Sequence, residues 1–153
     1  MRRERVSDPR IVLEPVLGAI DAAEDIAVRK ALRNAEQILE TLQQKLNQET
    51  NLAWTFGGIC LDVYREDQAD ITGYVEGPEL TYSLSLSAIG DSSWETHARI
   101  LMGDRNGQVV VDELPETIDR DAVAAASSFE SLAKALVGRA LSRPPTRDAW
   151  AGA

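Results

Sequence analysis

The sequence predicts an α+β domain in which a five-stranded antiparallel meander is packed by a long N-terminal helix and a C-terminal helix. Three observations predict it. Apolar residues recur at alternating steps of four and three from Val28 to Leu46, the stripe of a helix lying on a core. Between Ala53 and Leu114 the period changes to apolar/polar alternation broken by glycine-containing turns. A second helical stripe then runs from about Asp119 to Leu141. The strand connections are too short for crossover helices, so neighbouring strands must run antiparallel.

Taken in order, residues 1–8 read as disordered, residues 9–143 as the single α+β domain and residues 144–153 as a tail that starts at Pro144. Pro15 suits the first turn of a helix, and Val16, Leu17, Ile20, Ala23 and Ala27 follow as apolar positions. Gly18 and the acids from Asp21 to Asp25 weaken this stretch, and the helix is expected to break or change register near residues 21–25. Beyond it Val28, Leu32, Ala35, Leu39, Leu42 and Leu46 form the strongest stripe in the chain, with Ile38 widening it. Such a stripe serves either a short dimeric coiled coil or a helix lying on its own sheet, and three heptads suit the second better. The chain is accordingly expected as a monomer or a homodimer.

The first strand, Ala53 to Tyr64, places Trp54, Phe56, Cys60 and Tyr64 on one parity and Ile59, Leu61 and Val63 on the other. Gly57-Gly58 in its interior marks a bulge or a close backbone approach. The second alternates Ile71, Gly73 and Val75 with Thr72, Tyr74 and Glu76, and Gly77-Pro78 ends it. Leu80, Tyr82, Leu84 and Leu86 of the third alternate with Thr81, Ser83, Ser85 and Ser87, one face core and the other wet. After a turn at Gly90-Asp91-Ser92, the fourth sets Trp94, Thr96, Ala98, Ile100 and Met102 against Glu95, His97, Arg99 and Leu101. A turn over Gly103-Asp104-Arg105-Asn106-Gly107 leads to the fifth strand, Val109 to Val111. Asp119 is the expected N-cap of the last helix, whose stripe includes Ala122, Ala126, Phe129, Leu132, Leu136 and Ala140; Pro144-Pro145 stops it. Trp150 in the tail is expected to fold back onto the domain.

At 153 residues and 16.7 kDa the chain is one domain's length, enough to bury roughly 68–70% of its unfolded surface. One cysteine, Cys60, excludes an intrachain disulfide, and no apolar secretory segment follows Met1-Arg2-Arg3, which points to the cytoplasm. No apolar run approaches the roughly 18 residues of a membrane span. The formal charge is −9, of which −6 falls within residues 51–91. Phosphate neutralisation dominates nucleic-acid affinity, so this field disfavours DNA and RNA and favours a basic protein partner.

The sequence predicts no catalytic group, no cofactor and no metal site. His97 and Cys60, the only histidine and the only cysteine, fall on different strands. Asp62, Glu66, Asp67 and Asp70 lack the ligand spacing and central glycine of an EF-hand loop, and read as solvated turn charges. Gly57-Gly58 precedes more strand, not the helix that a phosphate-binding loop requires.

Two binding readings remain. In the first, a protein partner meets the acidic residues Asp62, Glu66, Asp67, Asp70, Glu76 and Glu79, or adds a strand to an open edge beside the hydroxyl-rich or the Glu95, His97, Arg99 face. In the second, the domain is a small-molecule carrier or sensor with an apolar pocket lined by Trp54, Phe56, Tyr82 and Trp94. The order helix, antiparallel sheet, helix at this size and acidity resembles that of bacterial toxin-immunity proteins and type III secretion chaperones. The hairpin Trp94 to Leu114 is similar in style to one in small immunity proteins. The resemblance covers about twenty residues and carries no family residue onto this chain. It implies a non-enzymatic protein that holds or neutralises a dedicated partner.

Overall fold

The computed structural model describes residues 2–90, 92–104 and 107–151. Asp91 of one expected turn and Arg105 and Asn106 of another lie outside the described residues. The architecture is α+β: a helical layer on one face of a largely antiparallel meander sheet.

The chain opens with strand β1 (Arg2–Arg5), then a single helical turn α1 (Glu14–Leu17) and the long helix α2 (Ala22–Glu49). Disorder over residues 1–8 is corrected for residues 2–8. With a charged residue at every position β1 has no core to bury, but each residue pairs antiparallel with the third strand, and Val6 N–H bonds the Ile59 carbonyl at 2.9 Å. The expected helix break is present. Pro15 sits in the first turn of α1, and Gly18 ends it with φ +69°. Asp21 then caps α2 through a capping box with Glu24, two orphan amides satisfied reciprocally. The 28 residues of α2 reach about 42 Å.

Among the described residues the sheet holds eight strands where five were expected. They are β1, β2 (Thr55–Phe56), β3 (Cys60–Arg65), β4 (Gln68–Glu76), β5 (Leu80–Ala88), β6 (Trp94–Asp104), β7 (Gly107–Glu113) and β8 (Thr117–Asp119). The main path is β1-β3-β4-β5-β6-β7; β2 pairs with β4, and β8 with β6. Two of the three additional strands arise from short pieces that alternation does not reveal. Gly57-Gly58 splits the expected first strand into β2 and β3, and the return from β7 pairs Thr117 with Thr96. Helix α3 (Ala122–Ala140) follows, then the turn α4 (Arg147–Trp150). The N-cap of α3 is Asp121, whose carboxylate accepts from Ala124 N–H at 3.0 Å; Asp119, expected in that role, ends β8 and accepts from Ser128 Oγ at 2.9 Å.

Helix α3 lies over β5 and β6, and α2 packs on α3 and β4. The α2 stripe Val28, Leu32, Ala35, Leu39, Leu42 and Leu46 is buried within this one chain, as a helix on its own sheet requires. Gly73 makes the close approach possible. A Cβ there would stand 2.5 Å from Ile59 Cδ1 and 3.0 Å from Leu39 Cδ1. Trp150 is buried, donates Nε1–H to the Pro144 carbonyl at 3.1 Å and carries Arg143 over its ring at 4.9 Å, so the tail folds back.

A buried glutamate joins the layers. Splitting the strand at Gly57-Gly58 frees the Ile59 N–H, and Glu36 on α2 accepts it at 2.9 Å. Its other oxygen meets Arg5 at 3.3 Å, and Arg5 reaches it across Gly58, where φ is +88° and a Cβ would collide with the guanidinium. The carboxylate therefore ties α2, β1 and β3 together.

Candidate functional site

The face of the sheet opposite the helices is open. Its residues are set by register: Thr72, Ser85 and His97 stand in one row across β4, β5 and β6, Asp70, Ser87 and Glu95 in the next, and Tyr74, Ser83 and Arg99 in a third. The hydroxyl-rich and the charged faces foreseen separately are thus one surface. It forms a shallow trough of about 410 Å³.

At its β6 side the polar groups connect. Ser85 Oγ lies 2.6 Å from His97 Nε2, and His97 Nδ1 lies 3.3 Å from Glu95 Oε1. Glu95 and His97 share a face because they are two apart on a strand. Glu116, in the segment leading into β8, brings a second carboxylate beside Glu95, with β8 pinned by the Thr96–Thr117 hydroxyl bond of 2.6 Å. A hydrogen bond from Glu116 holds the Glu95 carboxyl below its ordinary value, and the same bond, with the charge of Glu95, raises Glu116. Arg99, two residues on, is paired with Glu113 at 3.0 Å.

A Ser–His–Glu order invites comparison with nucleophilic catalysis. Ser85, however, sits in mid-strand with β4 and β6 bonded on either side, so the ladder consumes the backbone N–H groups that an oxyanion hole would need. The arrangement is better suited to holding a ligand than to acyl transfer.

The acidic residues singled out from the sequence do not form one patch. Asp62 is buried, accepts from Thr72 Oγ1 at 2.5 Å and faces Arg3 Nε at 3.7 Å. Arg3 is itself held protonated more firmly than usual, first by its hydrogen bond with Cys60 and then by the charge of Asp62 among others. Asp70 lies across from Asp62 on the open face. Glu66 and Asp67 occupy the β3–β4 turn, and Glu76 and Glu79 stand at the far end of β4, about 27 Å away along the strand. Glu79 is engaged, accepting from Arg147 N–H at 2.9 Å.

Nor do the four aromatic residues line one space. Trp54 stacks on Tyr82 at 5.6 Å and 9°, and Phe56 packs against the same end of the core. Trp94 is at the other end of β6, donating Nε1–H to the Val16 carbonyl at 2.8 Å. Cys60 is buried beside the Gly57 and Gly58 carbonyls, with β4 and β5 standing between it and His97.

The Ser85–His97–Glu95–Glu116 group was missed as a unit. One signal was legible: if Ala88 and Trp94 close the β5–β6 hairpin, Ser85 must face His97. Glu116 had none, since its position depends on the return of β8.

The fold defines a two-layer α+β domain with one sheet face open. Compared with protein-family models, curated proteins and solved structures, the chain matches none. No helix among the described residues is long and apolar enough to cross a membrane.

Proposed function

We propose that this chain is a non-enzymatic protein-binding domain that holds a dedicated partner, in the manner of an immunity protein or secretion chaperone, by adding an extended basic segment of it along β7. The observation that carries the reading is the contrast between the two sheet edges. At one edge β1 presents Arg2, Arg3, Glu4 and Arg5, all exposed, the usual device by which an edge is blunted. At the other, β7 and β8 present Val109 at 59%, Val110 at 49% and Ile118 at 61% exposure. Neither strand contains lysine or proline. An edge strand with exposed apolar side chains is a template to which extended peptides add, main-chain bonds giving affinity and side chains specificity. Acids surround this edge, and residues 92–118 carry a net −3, which favours a basic segment and speeds its encounter.

The test is affinity purification from the native host with the wild-type chain and with Val110→Lys, a change at an exposed position that the fold should tolerate. A stoichiometric partner captured by the wild type and lost with Val110→Lys supports strand addition. A partner retained by Val110→Lys but lost when Asp67 and Asp70 are reversed to Lys moves binding to the acidic hairpin. Capture of no partner removes the reading.

A further inference from the structure

We propose that Glu95, His97 and Glu116 form a binding site for a divalent first-row transition metal of the Zn²⁺ type, with Ser85 as the outer partner that orients the histidine. The three side chains offer one nitrogen and two carboxylate oxygens, all within 4.8 Å of one another. The 3.3 Å between His97 Nδ1 and Glu95 Oε1 is long for a charge-assisted hydrogen bond. It matches the spacing of two donors around a tetrahedral ion, where bonds of about 2.0–2.1 Å put neighbouring ligands about 3.3 Å apart.

The second ring nitrogen supports the same assignment. When Nε2 carries the proton and donates it to Ser85 Oγ at 2.6 Å, the lone pair of Nδ1 is directed at the carboxylates. Metal-bound histidines ordinarily have such an outer hydrogen bond, which fixes tautomer and ring orientation. The scaffold is rigid where it needs to be: Glu95 and His97 stand on β6, between β5 and β8, and the Thr96–Thr117 bond holds the approach of Glu116. Glu116 is exposed, so solvent can complete the coordination sphere. A nitrogen with two carboxylates suits Zn²⁺, Co²⁺ or Ni²⁺; Ca²⁺ prefers six to eight oxygens, which this group does not supply. The site is independent of strand addition at β7.

The experiment is isothermal titration of the full chain with ZnCl₂, with Co²⁺ absorption in the visible range as a report on geometry. One saturable ion per chain is expected, with Co²⁺ bands of low-coordination intensity. His97→Ala and Glu116→Gln should each abolish binding, and Ser85→Ala should weaken it by about 10- to 100-fold. Glu116 is exposed, so Glu116→Gln keeps the test valid if His97→Ala fails to fold. Absence of saturable Zn²⁺ binding at millimolar metal overturns the proposal. So does binding that Glu116→Gln leaves unchanged.

Discussion

Replacing Glu36 by alanine should cost the domain about 1–4 kcal/mol, because among the described residues the carboxylate is the one partner of the freed Ile59 amide. Ile59 is fully buried, and its N–H reaches Glu36 at 2.9 Å. A buried donor left without a partner costs about 1–3 kcal/mol. The Arg5 contact contributes less: that side chain is 58% exposed, and an exposed ion pair is worth about 0–1 kcal/mol. Glu36→Gln separates the two effects. The amide oxygen can still accept from Ile59, so only the weaker Arg5 term is lost, about 1 kcal/mol or less. Urea unfolding followed by circular dichroism reads both variants. With a slope of about 2 kcal/mol/M, Glu36→Ala should lower the midpoint by about 0.5–2 M and Glu36→Gln by less, about 0.5 M at most. Amide exchange at Ile59 should accelerate in the alanine variant alone. If the two substitutions prove equally destabilising, charge and not the acceptor holds the layers together, and the reasoning fails.

Gly73→Ala should destabilise by about 1–3 kcal/mol, since its Cβ would stand 2.5 Å from Ile59 Cδ1, and Ile59→Val, which lacks that methyl, should recover part of the loss in a double-mutant cycle. Tyr82 is fully buried and its hydroxyl has no partner among the described residues, so Tyr82→Phe should leave stability unchanged or raise it by about 1 kcal/mol in the same urea assay. Burial pushes the Tyr82 phenol up to about 12 from an ordinary 10.0. The unfolded chain therefore loses that proton first, and stability falls as pH rises from about 10 towards 12. That alkaline loss should shrink in Tyr82→Phe; an unchanged pH profile would assign it to other groups. Trp150→Ala should cost about 3–5 kcal/mol by emptying a filled site, whereas a tail free of the domain would show no change in unfolding midpoint.

Much of the fold was legible because its signals are local. The stripe from Val28 to Leu46 and the caesura before Asp25 each report what a few neighbouring residues do with water, and both appear in the structure; Leu80, Tyr82, Leu84 and Leu86 take the core face as expected, but Thr81 and Ser85 of the face expected to be wet are buried. β1 was illegible for the opposite reason. Arg2–Arg5 has no apolar residue to show a period, and its pairing depends on Asp62 and Glu36, brought from distant segments. Asp62 shows the same limit: in the sequence it belongs to an acidic hairpin, whereas in the fold it is buried against Thr72.

The sequence by itself determined the α+β class, the long and the C-terminal helix with an antiparallel meander between them, the core face of the third expected strand and the acidic field, because periodicity and composition are carried by the chain wherever it goes. Only the tertiary structure decided which polar groups meet. Ser85 faces His97 through hairpin register, Glu116 joins Glu95 because β8 returns to β6, and Glu36 finds Ile59 through a gap that two glycines open. Those encounters depend on register and loop path, where a shift of one residue turns every side chain to the other face.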